Sequence, residues 1–190
     1  MKKFTAILVI IVLVLLASAC NIHAQYASKG VLELGGTASF SSVTQVANGT
    51  TASNSTSMFQ FSPYAGYFIA EGISIGVEPS FGSLKMAGDN NSYTALALYA
   101  IPGYTFATKS SFFPYVQGMI GYTSIGYGSE PTQSGISWGL KGGVKFSIGN
   151  AGLICAGVTY QAITVNPSGA NSRYGFNVLS IGVGYSIFFK

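Results

Sequence analysis

The one histidine of this chain is His23, and any reaction that needs an imidazole stands or falls with it. A base beside a serine nucleophile, or a histidine metal ligand, has no other source here. His23 lies in a stretch that reads as a signal peptide over residues 1–24. Lys2 and Lys3 form a basic start, residues 4–16 form an apolar region broken only by Thr5, and Ile22-His23-Ala24 before Gln25 makes a cleavage site with a small last residue. Removal of that segment leaves no imidazole. Asp89 is the only aspartate, and no two carboxylates stand at a spacing suited to acid–base work. The expectation is no catalytic residue, no metal ligand and no cofactor site. Cleavage after Ala24 also leaves Cys155 as the one cysteine, which excludes an intramolecular disulfide. A rival cut after Ala19 would make Cys20 the first residue and a lipid attachment point.

The remaining charges of interest are Glu33, Glu78, Lys141 and Lys145. Their setting is clearest over residues 135–149, GISWGLKGGVKFSIG. Ile136, Trp138, Leu140, Gly142, Val144, Phe146 and Ile148 fall on one face at period two. Ser137, Gly139, Lys141, Gly143, Lys145 and Ser147 fall on the other. Period two is the period of a strand. Glu33 and Glu78 occupy the same small, polar face of their own segments. If the segments close into a barrel, that face is the lumen. Unpaired charge there is costly, so a Glu–Lys network bridging the first, third and sixth strands is expected. It reads either as a plug that fixes the barrel's shape or as an ion gate.

Eight segments repeat the pattern: residues 29–41, 58–70, 73–86, 93–107, 112–127, 135–149, 153–165 and 174–189. Only 7% of residues are charged and 48% are hydrophobic, yet after residue 24 no apolar run approaches the roughly 18 residues of a membrane helix. Interleaved hydrophobicity of this kind marks strands that cross a bilayer. Long polar connections follow strands one, three, five and seven; short ones, such as Glu71-Gly72, follow two, four and six. The asymmetry suits a barrel with both ends in the periplasm. Residues 43–57 read as a long exposed Ser/Thr/Asn-rich loop, residues 87–92, 128–134 and 166–173 as shorter ones. Pro63, Pro79, Pro102 and Pro114 fall inside strands and suggest bulges. Tyr67, Tyr104, Phe106, Phe112, Tyr122, Tyr127, Trp138, Phe146, Tyr160, Tyr174, Tyr185 and Phe189 suit aromatic girdles at the two interfaces. The predicted architecture is all-β: an eight-stranded antiparallel up-and-down transmembrane β-barrel over residues 25–190, after the signal peptide.

The phrases SPYAGYFIAEGISIGVEPSFG and SIGVGYSIFFK resemble the small outer-membrane β-barrel proteins of Gram-negative bacteria. These are the OmpA-transmembrane-domain and OmpX-like group, and the "outer membrane protein beta-barrel domain" chains of Bacteroidetes type. The resemblance implies a place in the cell outer membrane, contact with its lipids, and a closing strand read by the barrel-assembly machinery. Enzymes of this architecture use a histidine, which the processed chain would lack. Without Lys2 and Lys3, 7 basic residues stand against 5 acidic ones and do not cluster, so nucleic acid is not an expected partner. A soluble lipocalin-like barrel would need a charged exterior that 7% charged residues do not supply. The function read here is non-enzymatic: a structural or surface-interaction role, with an extracellular ligand of the loops as partner. The alternative is a narrow pore or small-molecule transporter.

Overall fold

The computed structural model describes residues 26–47, 50–85, 92–107, 111–127, 130–165 and 174–190. The signal peptide expected over residues 1–24 lies outside them. Period-two alternation produces eight strands, β1 (Leu32–Ala47), β2 (Thr50–Phe68), β3 (Ile73–Lys85), β4 (Ser92–Thr105), β5 (Phe112–Tyr127), β6 (Glu130–Ile148), β7 (Gly152–Val165) and β8 (Tyr174–Phe189). Each pairs antiparallel with the next, and β8 pairs with β1 to close the barrel. The pairing spirals. From Leu34 the register runs to Ala65, Val77, Ala100, Ile120, Trp138, Ala162 and Asn177, and returns to β1 at Thr44. A closure ten residues further along β1 tilts the strands by about 40° and leaves a lumen that side chains fill.

The two faces divide as the alternation requires. Ile181 is 69% exposed, Ile136 64% and Leu98 60%, while their strand neighbours Ser180, Ser137 and Tyr99 are buried. Large apolar groups therefore point outward into lipid. Aromatic side chains mark both edges of this band. Tyr104 packs edge-on to Phe106 at 4.9 Å and Phe112 to Phe146 at 5.4 Å near the short turns, and Trp138 meets Tyr160 at 6.3 Å nearer the other end. Tyr122 and Tyr160 direct their hydroxyls to Ser134 and Asn177. Along tilted β6, Phe146 and Trp138 stand about 20 Å apart on the barrel axis, within an apolar band of about 25 Å. Ile181→Lys, at mid-depth, is expected to destabilise the folded barrel by about 2–4 kcal/mol. Equilibrium unfolding in vesicles would measure it, and a cost no larger than that of Ile181→Ala would contradict the lipid-facing assignment.

Three expectations about boundaries need correction. Of residues 43–57, expected as a loop, 43–47 and 50–57 are strand, and 48 and 49 lie outside the described residues. β1 continues to Ala47, paired to β8 as far as Tyr174, and β2 begins at Thr50, with one register shift between Thr44 and Val46. Beyond the lipid band the outward face need no longer be apolar, so the alternation fades while the hydrogen-bond ladder continues; Val43 still turns inward to an apolar cluster, and threonine and valine retain their preference for strand backbone. Of residues 128–134, 130–134 behave likewise, since β6 starts at Glu130, opposite Tyr127, while 128 and 129 lie outside the described residues. Ser92 belongs to β4; residues 86–91 and 166–173 lie outside the described residues.

The prolines are not at bulges either. Pro63 and Pro79 occupy the gap between Phe61↔Phe81 and Ala65↔Val77, and Pro102 the gap between Ala100↔Ile120 and Gly103↔Gln117; the register is the same on both sides of each gap. Pro114 pairs with Val144 in an unbroken run. A proline cannot donate to the ladder, and here the strands pass it without an inserted residue. The third correction concerns the start of the chain. β1 begins at Leu32, and residues 26–31, instead of extending it, turn beneath the barrel, with Tyr26, Ala27 and Val31 buried.

Candidate functional site: the charged interior

β6 supplies both lysines. Lys141 and Lys145 are four residues apart, so both face inward, about 13 Å apart along the strand. Lys141 reaches Glu78 on β3, with Nζ 2.7 Å from Oε1 and 2.5 Å from Oε2. Lys145 reaches Glu33 on β1, with Nζ 2.7 Å from each carboxylate oxygen. The expected four-residue network is thus resolved into two ion pairs that share β6. All four side chains are buried.

The lower pair is the more heavily supported. Glu33 also accepts a hydrogen bond from Ser186 at 2.7 Å and one from Tyr26 at 2.8 Å. Lys145 donates to the Tyr26 hydroxyl at 2.7 Å, so that hydroxyl bridges acid and base. Its ammonium lies 5.4, 5.7 and 5.1 Å from the ring centres of Tyr26, Tyr64 and Tyr115. A desolvated cation within about 6 Å of an aromatic ring is attracted by the ring's quadrupole, and three such rings enclose this one. A buried pair is tolerated when its remaining donors and acceptors are met. Among the described residues, no buried side-chain nitrogen or oxygen lacks a hydrogen-bond partner.

The interior is layered around these pairs. At the end that carries the short turns Tyr26, Ala27, Val31, Phe68, Leu153, Cys155 and Phe188 form an apolar floor, with Phe113 against it. Above the Glu78–Lys141 pair lie small polar contacts such as Ser41 to Ser180 at 2.7 Å, Thr123 to Ser137 at 2.7 Å and Ser62 to Ser80 at 3.1 Å. Val43, Met58, Ile163, Val165 and Val178 then make an apolar roof toward the outer end. A cavity of about 30 Å³ touches all four charged side chains; another of about 20 Å³ lies among Gln60, Gln161, Ser180 and the Glu78–Lys141 pair. Each has room for one or two waters. Among the described residues no cluster of acidic, histidine or cysteine side chains has the makings of a metal site.

The tyrosines and the floor are what residue-by-residue reading misses. Tyr64 and Tyr115 share the inward face with the charges and could have been grouped with them by period alone. Tyr26 precedes β1 and carries no periodic signal.

An eight-stranded barrel with an apolar exterior, aromatic edges and a filled polar lumen is the architecture of the small outer-membrane proteins, and the sequence agrees. A family model described as "Outer membrane protein beta-barrel domain" matches residues 11–186. The chain belongs to the outer membrane protein beta-barrel domain family. Among solved structures, this family member is similar to Neisserial surface protein A, from Neisseria, at a TM-score of 0.61 and 20% identity, over 81% of this chain and 96% of that one. It is also similar to the outer membrane protein OprG from Pseudomonas aeruginosa, at a TM-score of 0.55 and 18% identity, over 89% of this chain and 99% of that one. At such identities the likeness is one of fold. No curated protein matches the sequence. The family and the fold place the barrel in the outer membrane of a Gram-negative bacterium.

Proposed function

We propose that this barrel does not conduct and is not an enzyme, and that it serves a structural or surface-interaction role through its outer hairpins. The observation that carries the reading is how the lumen is filled: an apolar floor, two buried ion pairs and an apolar cluster toward the outer end lie in series. The two cavities that adjoin the ion pairs are water-sized. Supporting the surface role, β2 and β6 are 19 residues each, longer than the roughly 9–11 that a tilted strand needs to cross a bilayer. Their outer ends are rich in serine, threonine and other uncharged polar residues, a hydrated surface for an extracellular ligand of the outer hairpins. Residues 1–24 serve as the export signal in this reading, and β8, with its alternating hydrophobes and terminal Phe188 and Phe189, as the segment met by the barrel-assembly machinery.

Single-channel recording in a planar bilayer tests the reading, once a heat-modifiable shift on a gel has confirmed folding. The wild-type protein is expected to be silent, and Glu78→Gln with it, because floor and roof remain. Steady openings of the wild type that change with Glu78→Gln would overturn the sealed-barrel reading and make the four charges a filter.

A further inference from the structure

The wall between β2 and β3 lacks part of its backbone ladder. Ile69 donates to the Ile73 carbonyl at 2.9 Å, and hydrogen-bonded pairs recur at every second residue of an antiparallel ladder. The odd-numbered residues of β2 therefore turn their nitrogens toward β3. Pro63 is one of them, and the register on either side, Phe61↔Phe81 and Ala65↔Val77, sets Pro79 opposite it. In a pair of this kind each nitrogen donates to the other residue's carbonyl. Neither proline has a hydrogen to give, so the Pro63 and Pro79 carbonyls both lose their ladder donor at one point.

That point lies deep in the bilayer. Pro63 is midway along β2 between Phe59 and Tyr67, both exposed on the lipid side. A carbonyl without a donor is costly there, and hydrocarbon supplies none. The lumen side of the same seam is polar. Ser62 donates to Ser80 across it at 3.1 Å, and Gln60 donates to Ser80 as well. Ser62 and Tyr64, the neighbours of Pro63, and Glu78, a neighbour of Pro79, all line the two water-sized cavities. The other interrupted seam is different. Opposite Pro102 stands Gly118, which keeps its own N–H, so one donor is missing rather than two. Behind that gap Ile101 and Met119 belong to an apolar cluster.

We propose that the Pro63–Pro79 pair is a water-binding site within the barrel wall: water supplied from the lumen cavities donates to both carbonyls and stands in for the missing ladder bonds. A bridging water is nearly as good a partner as a direct hydrogen bond, and it has a hydrogen for each carbonyl. The proline rings lie on the outward face, between this water and the lipid. Hydration of the interior thus reaches the backbone layer at this seam without passing through it. The proposal holds whether or not the barrel conducts.

Water-edited solid-state NMR of the labelled protein in lipid vesicles reads the site directly. Magnetisation passes from water protons to nearby carbons, and the build-up rate at each backbone carbonyl reports its closeness to water. The Pro63 and Pro79 carbonyls are expected to build up several-fold faster than those of Ala65 and Val77, the next pair of the same kind, whose ladder is intact. Pro63→Ala/Pro79→Ala supplies both missing N–H groups and keeps the outward face apolar. Once the heat-modifiable shift has confirmed its folding, both carbonyls should fall to the Ala65 rate. Pro63→Ala alone restores one bond, so only the Pro79 carbonyl should slow; this variant serves if the double one does not fold. Wild-type build-up at Pro63 and Pro79 as slow as at Ala65 and Val77 would overturn the proposal and leave the carbonyls to the serine hydroxyls. Fast build-up that persists at both carbonyls after the ladder is restored would overturn it too, since water would then be there for another reason.

Discussion

Lys145→Met is expected to destabilise the barrel by about 3–5 kcal/mol, because it leaves the Glu33 carboxylate buried without its counter-charge. The double variant Glu33→Gln/Lys145→Met should cost less than the single one. Removing both charges removes the need to compensate either, and the Tyr26 and Ser186 hydroxyls remain beside the new amide. Lys141→Met should be milder than Lys145→Met. Both water-sized cavities adjoin Glu78, so solvent can replace the lost donor, and no tyrosine cage is emptied. Equilibrium unfolding by urea, followed by the heat-modifiable gel shift, gives all three values. A double variant less stable than Lys145→Met would show that the pair itself, rather than the avoidance of a lone charge, holds the interior together.

The second large effect concerns two adjacent glycines on β6. A Cβ on Gly143 would stand 2.2 Å from the Ala156 carbonyl oxygen and 2.6 Å from the Gly157 Cα, both backbone atoms of β7. Neither can move without breaking the β6–β7 ladder, where Gly143 is directly opposite Gly157. A Cβ on Gly142 would stand 3.7 Å from the Tyr115 carbonyl oxygen, an ordinary contact. Gly143→Ala is therefore expected to cost about 3 kcal/mol or to block folding, and Gly142→Ala to stay within about 0.5 kcal/mol. The same single methyl is added at neighbouring positions of one strand, so intrinsic strand propensity cancels in the comparison, while Gly142 faces lipid and Gly143 the lumen. Equal yields of folded protein for the two variants would contradict the register given for β6 and β7.

What the sequence discloses follows from where alternation survives. Within the lipid, one face must be apolar and the other need not be, so β6 can be read residue by residue and its lysines placed in the lumen. The same logic sets Glu33 and Glu78 on the inner face. Which glutamate meets which lysine is another matter. It depends on how far the register has climbed between β1, β3 and β6, a sum over several pairings that no one segment contains. Outside the lipid the signal fades, and residues 43–47 and 50–57 look like loop although they belong to paired strands. Prolines mislead for a related reason: the missing donor is visible in the sequence, but whether the strand bulges or simply skips a bond depends on its neighbour. Tyr26 is the hardest case. One aromatic residue ahead of a strand has no period to betray it, and its burial becomes evident only when Phe68, Phe113 and Phe188 converge beneath the barrel.

The spiral from Leu34 back to Thr44 carries a parity rule. A seam between β8 and β1 closed one residue out would turn the lipid face of one strand inward along its whole length. The neighbouring admissible closures are therefore two residues away, about 7 Å of sliding. Two polar bonds cross the seam and would not survive such a slide: Ser41 to Ser180, which are direct register partners, and Ser186 to Glu33. The final joining of the sheet is thus a choice among discrete, widely spaced alternatives, and the interior distinguishes them by whether Ser180, Gly182 or Val178 arrives opposite Ser41. In a molecule with so few charges, those inside work as the gauge that tells a correctly closed barrel from a misaligned one.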